Sequence, residues 1–141
     1  MPGSRGRPQW AAPTACDGWT VKHVVAHLVT GFEVSLPRFM LTMARHRFRL
    51  NVANDVFAAK LARRSTTDLV RTLRENADNR FTPPREGPVE PLSEIVIHGQ
   101  DIRTAIKHRR VIRPEILDTI LSAKSGAIRA DYQHRATQEA T

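Results

Sequence analysis

Cysteine is nearly absent from this chain, with Cys16 alone among 141 residues. A lone thiol cannot close an internal disulfide, so the fold is expected to be disulfide-free and at home in a reducing cytoplasm. Aromatic residues make up only 6% of the chain, which leaves few rings for stacking on nucleic-acid bases. No apolar run approaches the roughly 20 residues that cross a bilayer, so no membrane partner is expected. The stretch Met1–Pro8 carries basic residues with no apolar segment behind it, and it does not read as a signal peptide. Strand-like alternation and internal repeats are also missing. Acidic side chains are outnumbered 14 to 22, giving a formal net charge of +8.

What is present is a 40% hydrophobic, mostly aliphatic composition, enough for one domain with a single core. The basic residues gather at Arg45–Arg49, Lys60–Arg64 and Lys107–Arg113. Each group falls near the end of an expected helix, where cations complement the helix dipole. Solvated helix ends are therefore preferred over a nucleic-acid surface, which is kept as a second alternative.

The pattern is helical throughout. A first long helix is expected from about Thr20, a good N-cap, into the low 40s, with a bend near Val34 imposed by Pro37. Its apolar face holds Val21, Val24, Val25, Leu28 and Phe32. A short helix over about Val52–Arg64 follows. Ser65 and Asp68 resemble a capping box that opens a helix carrying Leu69, Val70, Leu73 and Ala77 inward and ending near Asn79. Residues 81–91, with four prolines, form a loop. A helix from about Pro91 to Lys107 and another from Pro114 complete the chain, and the sequence turns polar after Lys124.

The chemistry concentrates in Glu94-x-x-x-His98-x-x-Asp101. On a helix, His98, Asp101 and Ala105 project within about 40° of Glu94. Ile95, Ile102 and Ile106 lie to one side of that stripe and Ile97 to the other, so the charged pair is expected to face inward. Buried charge is costly unless it is paired or bound to a metal, and a divalent metal would satisfy carboxylate and imidazole together. A third ligand has to come from elsewhere, and His27 is the best candidate, with Gly31 one turn on leaving space beside its ring. Taken alone, His27 reads as a core-edge histidine bonded to a backbone carbonyl. Arg38, expected along the same flank, could reach an anionic substrate group, although a solvated arginine is the default. Cys16, just ahead of a helix, could be read as a reactive thiol; a structural role is preferred.

Trp10-x-x-Pro13-Thr14-x-Cys16-x-Gly18-Trp19-Thr20-Val21, followed by His27-Leu28, resembles the start of the mycothiol-dependent maleylpyruvate isomerase family, a branch of the DinB-like metal-binding superfamily. Glu94-x-x-x-His98-Gly99-x-Asp101 resembles its second signature. Two signatures in the right order are more specific than either alone. The resemblance implies an all-α, DinB-like helical bundle in which His27, Glu94 and His98 hold zinc or another divalent metal and Asp101 stands behind the ligands. It further implies mycothiol as the thiol cosubstrate, an electrophilic small-molecule substrate, and isomerisation or thiol transfer as the reaction.

The chain departs from that family at both ends. Only nine residues precede Trp10, with two prolines and two glycines among them, so the usual first helix is expected to be missing and residues 1–9 disordered. The metal-binding domain is expected over residues 10–124, and 125–141 as a polar tail in place of a second domain. A missing helix would leave Val21, Val25, Leu28 and Phe32 partly uncovered and favour self-association. The alternative to an enzyme is a non-catalytic metal-binding remnant or interaction module.

Overall fold

The computed structural model describes residues 9–79 and 89–139, and within them it is all-α. Six helices follow one another: α1 (Val21–Glu33), α2 (Leu36–Arg45), α3 (Leu50–Leu61), α4 (Thr66–Glu75), α5 (Val89–Ala105) and α6 (Pro114–Glu139). The sole β-type pairing among the described residues is an isolated bridge between Pro13 and Thr20. No helix among them is long and apolar enough to cross a membrane. The described residues form two compact units, the first within Met1–Phe81 and Glu94–Arg109, the second within Thr82–Ser93 and Arg110–Thr141. The expected disordered segment 1–9 and most of the loop 81–91 lie outside the described residues, although Gln9 and Trp10 are helical.

The first unit is built around α1, which packs on α3 and α4, while α2 packs on α3. Val21, Val25, Ala26 and Val29 of α1 and Leu69 of α4 form the core; Trp10, Ala12, Leu61, Leu73, Ile102 and Ile106 close over it. Val21 and Val25 are therefore buried, not partly uncovered as the sequence suggested, because the Trp10–Ala12 segment and α4 cover them. Leu28 and Phe32 are half-buried. Outward apolar residues occur on several other elements, α2 among them, where Leu36, Met40 and Leu41 are about half exposed.

Pro37 has a larger effect than a bend. The helix leaves helical geometry at Val34 and Ser35, whose ψ angles are 120° and 149°, and α2 restarts with Pro37 in its first turn. A proline ring collides with the carbonyl four residues back, whereas in a first turn its missing N–H costs nothing. Thr20 caps α1 in a capping box with His23: the Thr20 amide donates to His23 Nδ1 at 3.3 Å, and the hydroxyl lies 2.9 Å from the same nitrogen. Ser65 caps α4 as expected, its Oγ accepting from the Asp68 amide at 3.1 Å. That helix stops at Glu75, so Ala77 lies beyond it and is exposed. The α5 helix ends at a left-handed Lys107 (φ 57°), with the His108 amide donating to the Arg103 carbonyl at 2.8 Å, which satisfies carbonyls the last turn leaves open. The polar sequence after Lys124 remains helical to Glu139.

Candidate metal centre

The centre lies in the first unit and is assembled from α1, α5 and the loop ahead of α1. Burial of Val24, Val25 and Ala26 fixes the rotation of α1 and brings His27 to the side facing α5. Ile102, Ala105 and Ile106 pack against the core, and this orients the preceding turns of the same helix. Glu94, His98 and Asp101, spaced four and three residues apart, then share one face.

His27 Nε2 lies 3.2 Å from Glu94 Oε2, and His98 Nε2 lies 3.1 Å from the same oxygen. The two imidazoles meet edge to face with centroids 4.9 Å apart. The donor atoms of His27, Glu94 and His98 all fall within 4.8 Å of one another. Both histidine side chains are 15% exposed and Glu94 is 45% exposed, so the carboxylate forms the open side of the cluster. Of the four flanking isoleucines, Ile102 and Ile106 pack against the core, whereas the other two do not enclose the cluster as expected. Ile95 and Ile97 are 57% and 49% exposed, and the shielding comes from Trp19, whose ring centroid is 5.2 Å from that of His27.

Hydrogen bonds from His27 and His98 to its ionised form hold the Glu94 carboxyl far below the usual carboxylate range. The same bond to Glu94 raises His98 above the ordinary histidine value, against the opposing effect of burial. Behind the ring, His98 Nδ1 is 3.3 Å from Asp101 Oδ2, off the axis of a hydrogen bond, and Nδ1 atoms of both histidines are buried without a hydrogen-bond partner. Asp101 Oδ2 also receives the Cys16 thiol at 3.7 Å. Burial first, and the Asp101 charge second, push that thiol up from its ordinary pKa.

Arg38 is exposed on α2. Because α1 stops at Glu33, Arg38 no longer continues the flank that carries His27. Two features near the centre were missed in the sequence. Trp19 Nε1 donates to Asp55 Oδ1 of α3 at 2.8 Å, which holds the indole beside His27. Cys16 meets Asp101 across 85 residues of chain. Both residues belong to the Cys16-x-Gly18-Trp19 signature, but nothing in their local spacing names a partner that far away.

The model of the mycothiol maleylpyruvate isomerase N-terminal domain family matches residues 5–90, more than half of the chain. The chain belongs to this family. No curated protein and no solved structure shows significant similarity to it. The family match contains His27 and the Cys16–Thr20 loop and ends four residues before Glu94. Membership thus covers one of the three clustered donors, and the other two are attached to it by geometry.

Proposed function

We propose that the protein is a metal-dependent, thiol-using enzyme of the mycothiol maleylpyruvate isomerase family, with His27, Glu94 and His98 as ligands of zinc or a similar divalent ion. The observation that carries this reading is the convergence of the three donors, with His27 and Glu94 67 residues apart in the chain. Two imidazoles and a carboxylate are a donor set suited to zinc and leave a fourth position open. Ligands at 2.0–2.1 Å in a tetrahedron sit about 3.3 Å from one another. The separations of 3.2 and 3.1 Å between Glu94 Oε2 and the two imidazole nitrogens are already close to that.

When bound, such an ion lowers the pKa of a thiol in its open position and keeps it nucleophilic at neutral pH. His27 and His98 supply the neutral ligands, and Glu94 offsets part of the ion's charge. Asp101 Oδ2, 3.3 Å from His98 Nδ1, is the nearest acceptor for an Nδ1 proton and would orient the ring once that nitrogen carries it. The Trp19 ring, tied to Asp55, screens His27 from water. The family's name supports mycothiol as the thiol; isomerisation or thiol transfer to an electrophile is the reaction proposed, and the cytoplasm is the proposed location. Association between copies, where it occurs, is assigned to the outward face of α2, not to the buried valines of α1.

The test is zinc content and mycothiol turnover of the purified protein, with His98→Ala and exposed-surface His108→Ala beside it. One zinc per chain in the wild type and His108→Ala, and none in His98→Ala, supports the site. Undiminished zinc in His98→Ala overturns it. Zinc without thiol transfer to any electrophile would leave a metal-binding module in place of an enzyme.

A further inference from the structure

Cys16 is a nucleophilic side chain beside the centre that the proposed chemistry does not use. Its position is fixed by a closed loop. The Thr14 amide and hydroxyl both donate to the Trp19 carbonyl, at 3.0 and 2.9 Å, and the Trp19 amide donates to the Cys16 carbonyl at 3.0 Å. The Cys16 amide in turn donates to Thr14 Oγ1 at 3.2 Å. Gly18 takes a left-handed φ of 74°, a conformation that glycine adopts without strain. This loop delivers the Cys16 sulfur to Asp101 Oδ2, the oxygen that also faces His98 Nδ1.

The contacts run as a line of neighbours, Cys16 Sγ 3.7 Å from Asp101 Oδ2 and that oxygen 3.3 Å from His98 Nδ1, with His98 Nε2 on the other side of the ring 3.1 Å from Glu94 Oε2. We propose that Cys16 is a positioning residue: its S–H, donating to Asp101 Oδ2, holds that carboxylate against His98 Nδ1 and thereby keeps Nε2 aimed at the metal position. The inference rests on His98 being a ligand, as proposed above.

Three observations support it. An imidazole ligating through Nε2 carries its proton on Nδ1 and needs an acceptor there. Asp101 is 21% exposed, so without a second anchor its carboxylate could rotate toward water. Burial and the Asp101 charge keep the thiol protonated, which makes it a donor in place of a nucleophile or ligand. The competing arrangement is a second donor set, Cys16, His98 and Asp101, whose ligand atoms also lie within 4.8 Å of one another. It would require His98 to ligate through Nδ1, the face turned away from Glu94 and His27.

The experiment is zinc affinity by competition with a chromophoric chelator for wild type, Cys16→Ala, Cys16→Ser, Asp101→Ala and the Cys16→Ala/Asp101→Ala pair. A thiol is a weak donor, so Cys16→Ala should weaken binding by about 3–10-fold, less than the roughly 10–100-fold typical of a direct ligand-orienting partner such as Asp101. Cys16→Ser, which keeps a donor, should bind within about twofold of wild type. In the Asp101→Ala background, Cys16→Ala should cost nothing further, because the line is already cut. Full and independent loss in the double variant would mean that Cys16 acts only through loop packing, and would overturn the proposal. So would equal affinity in wild type and Cys16→Ala. Cobalt loading without added thiol gives the remaining arm: a sulfur-to-cobalt charge-transfer band that Cys16→Ala removes would make Cys16 a ligand and also overturn the proposal. A wild type that binds neither metal would overturn the metal centre itself, a result distinct from unchanged affinity in Cys16→Ala.

Discussion

At the scale of single residues, the centre is controlled by one carboxylate oxygen shared between two imidazoles. Glu94 Oε2 sits near both rings, and its pairing with His98 acts in opposite directions on the two pKa values. His98 is raised, so its contribution to stability is complete below the ordinary histidine pKa of about 6.5 and fades as pH rises through the higher folded value. Glu94 is lowered, so its contribution is present above the ordinary carboxylate pKa of about 4.3 and fades only as pH falls through the depressed value. The metal-free protein should therefore gain most from the pair between roughly pH 4.5 and 6.5. Urea midpoints against pH for wild type and Glu94→Gln would check this: their separation should be widest in that window and narrow toward pH 9, and parallel curves would sink the idea. Zinc uptake follows the opposite course, because the metal needs unprotonated rings. With His98 raised, zinc affinity should begin to fall at a higher pH than it would for a histidine with the ordinary pKa of about 6.5. The spacing of Glu94, His98 and Asp101 was enough to nominate these residues, whereas the sharing of one oxygen depended on where His27 arrived.

At the scale of elements, α1 is the helix on which the site depends, and α4 locks it from behind. Leu69 is fully buried against α1, so Leu69→Ala should cost about 2–5 kcal/mol through lost burial and a residual cavity. Ser65→Ala, removing the bond to the Asp68 amide, should cost about 1 kcal/mol. Chemical denaturation of both variants would rank them, and an equal or reversed ranking would contradict the packing described. Arg64 adds a polar tie, its guanidinium reaching Glu33 of α1 at 2.9 Å and Asp68 and Thr72 of α4. On α2 the outward Met40 and Leu41 invite a separate check by sedimentation velocity. Any concentration-dependent association of the wild type should disappear in Met40→Lys/Leu41→Glu, and persistence there would place the contact elsewhere. Helix starts were legible where chemistry is local: Thr20, Ser65 and Pro114 each act within one turn of themselves, whereas Pro37 suggested a bend and in fact opens a new helix. Helix ends were less so. The C-terminus of α5 rests on a left-handed Lys107, a residue without the glycine or asparagine that marks such a stop.

At the scale of the whole molecule, the proposed ligands lie in α1 and α5, which are far apart in the sequence, so metal binding should tie distant parts of the first unit together. Zinc at 100 times its dissociation constant should stabilise the fold by about 2.7 kcal/mol, seen as a rise in melting temperature that a chelator reverses. No shift in wild type, or the same shift in His98→Ala, would separate stability from the centre. The net charge of +8 is carried largely on exposed arginines and lysines, Arg45, Arg47, Arg49, Lys60 and Arg63 among them. The sequence by itself determined the all-α class, the starts of α1, α4 and α6 and the placing of Glu94, His98 and Asp101 on one helix face, because helical periodicity, capping and i, i+4 spacing are local properties of the chain. The two signatures, by resemblance, supplied the family and joined His27 to that face. Only the tertiary structure decided that Val21 and Val25 are covered, that Ile95 and Ile97 face outward, that Trp19 screens His27, and that Cys16 touches Asp101. Those outcomes depend on how α1 is rotated between its neighbours and on contacts across 67 to 85 residues of chain, distances over which no local pattern in the sequence fixes which side chains meet.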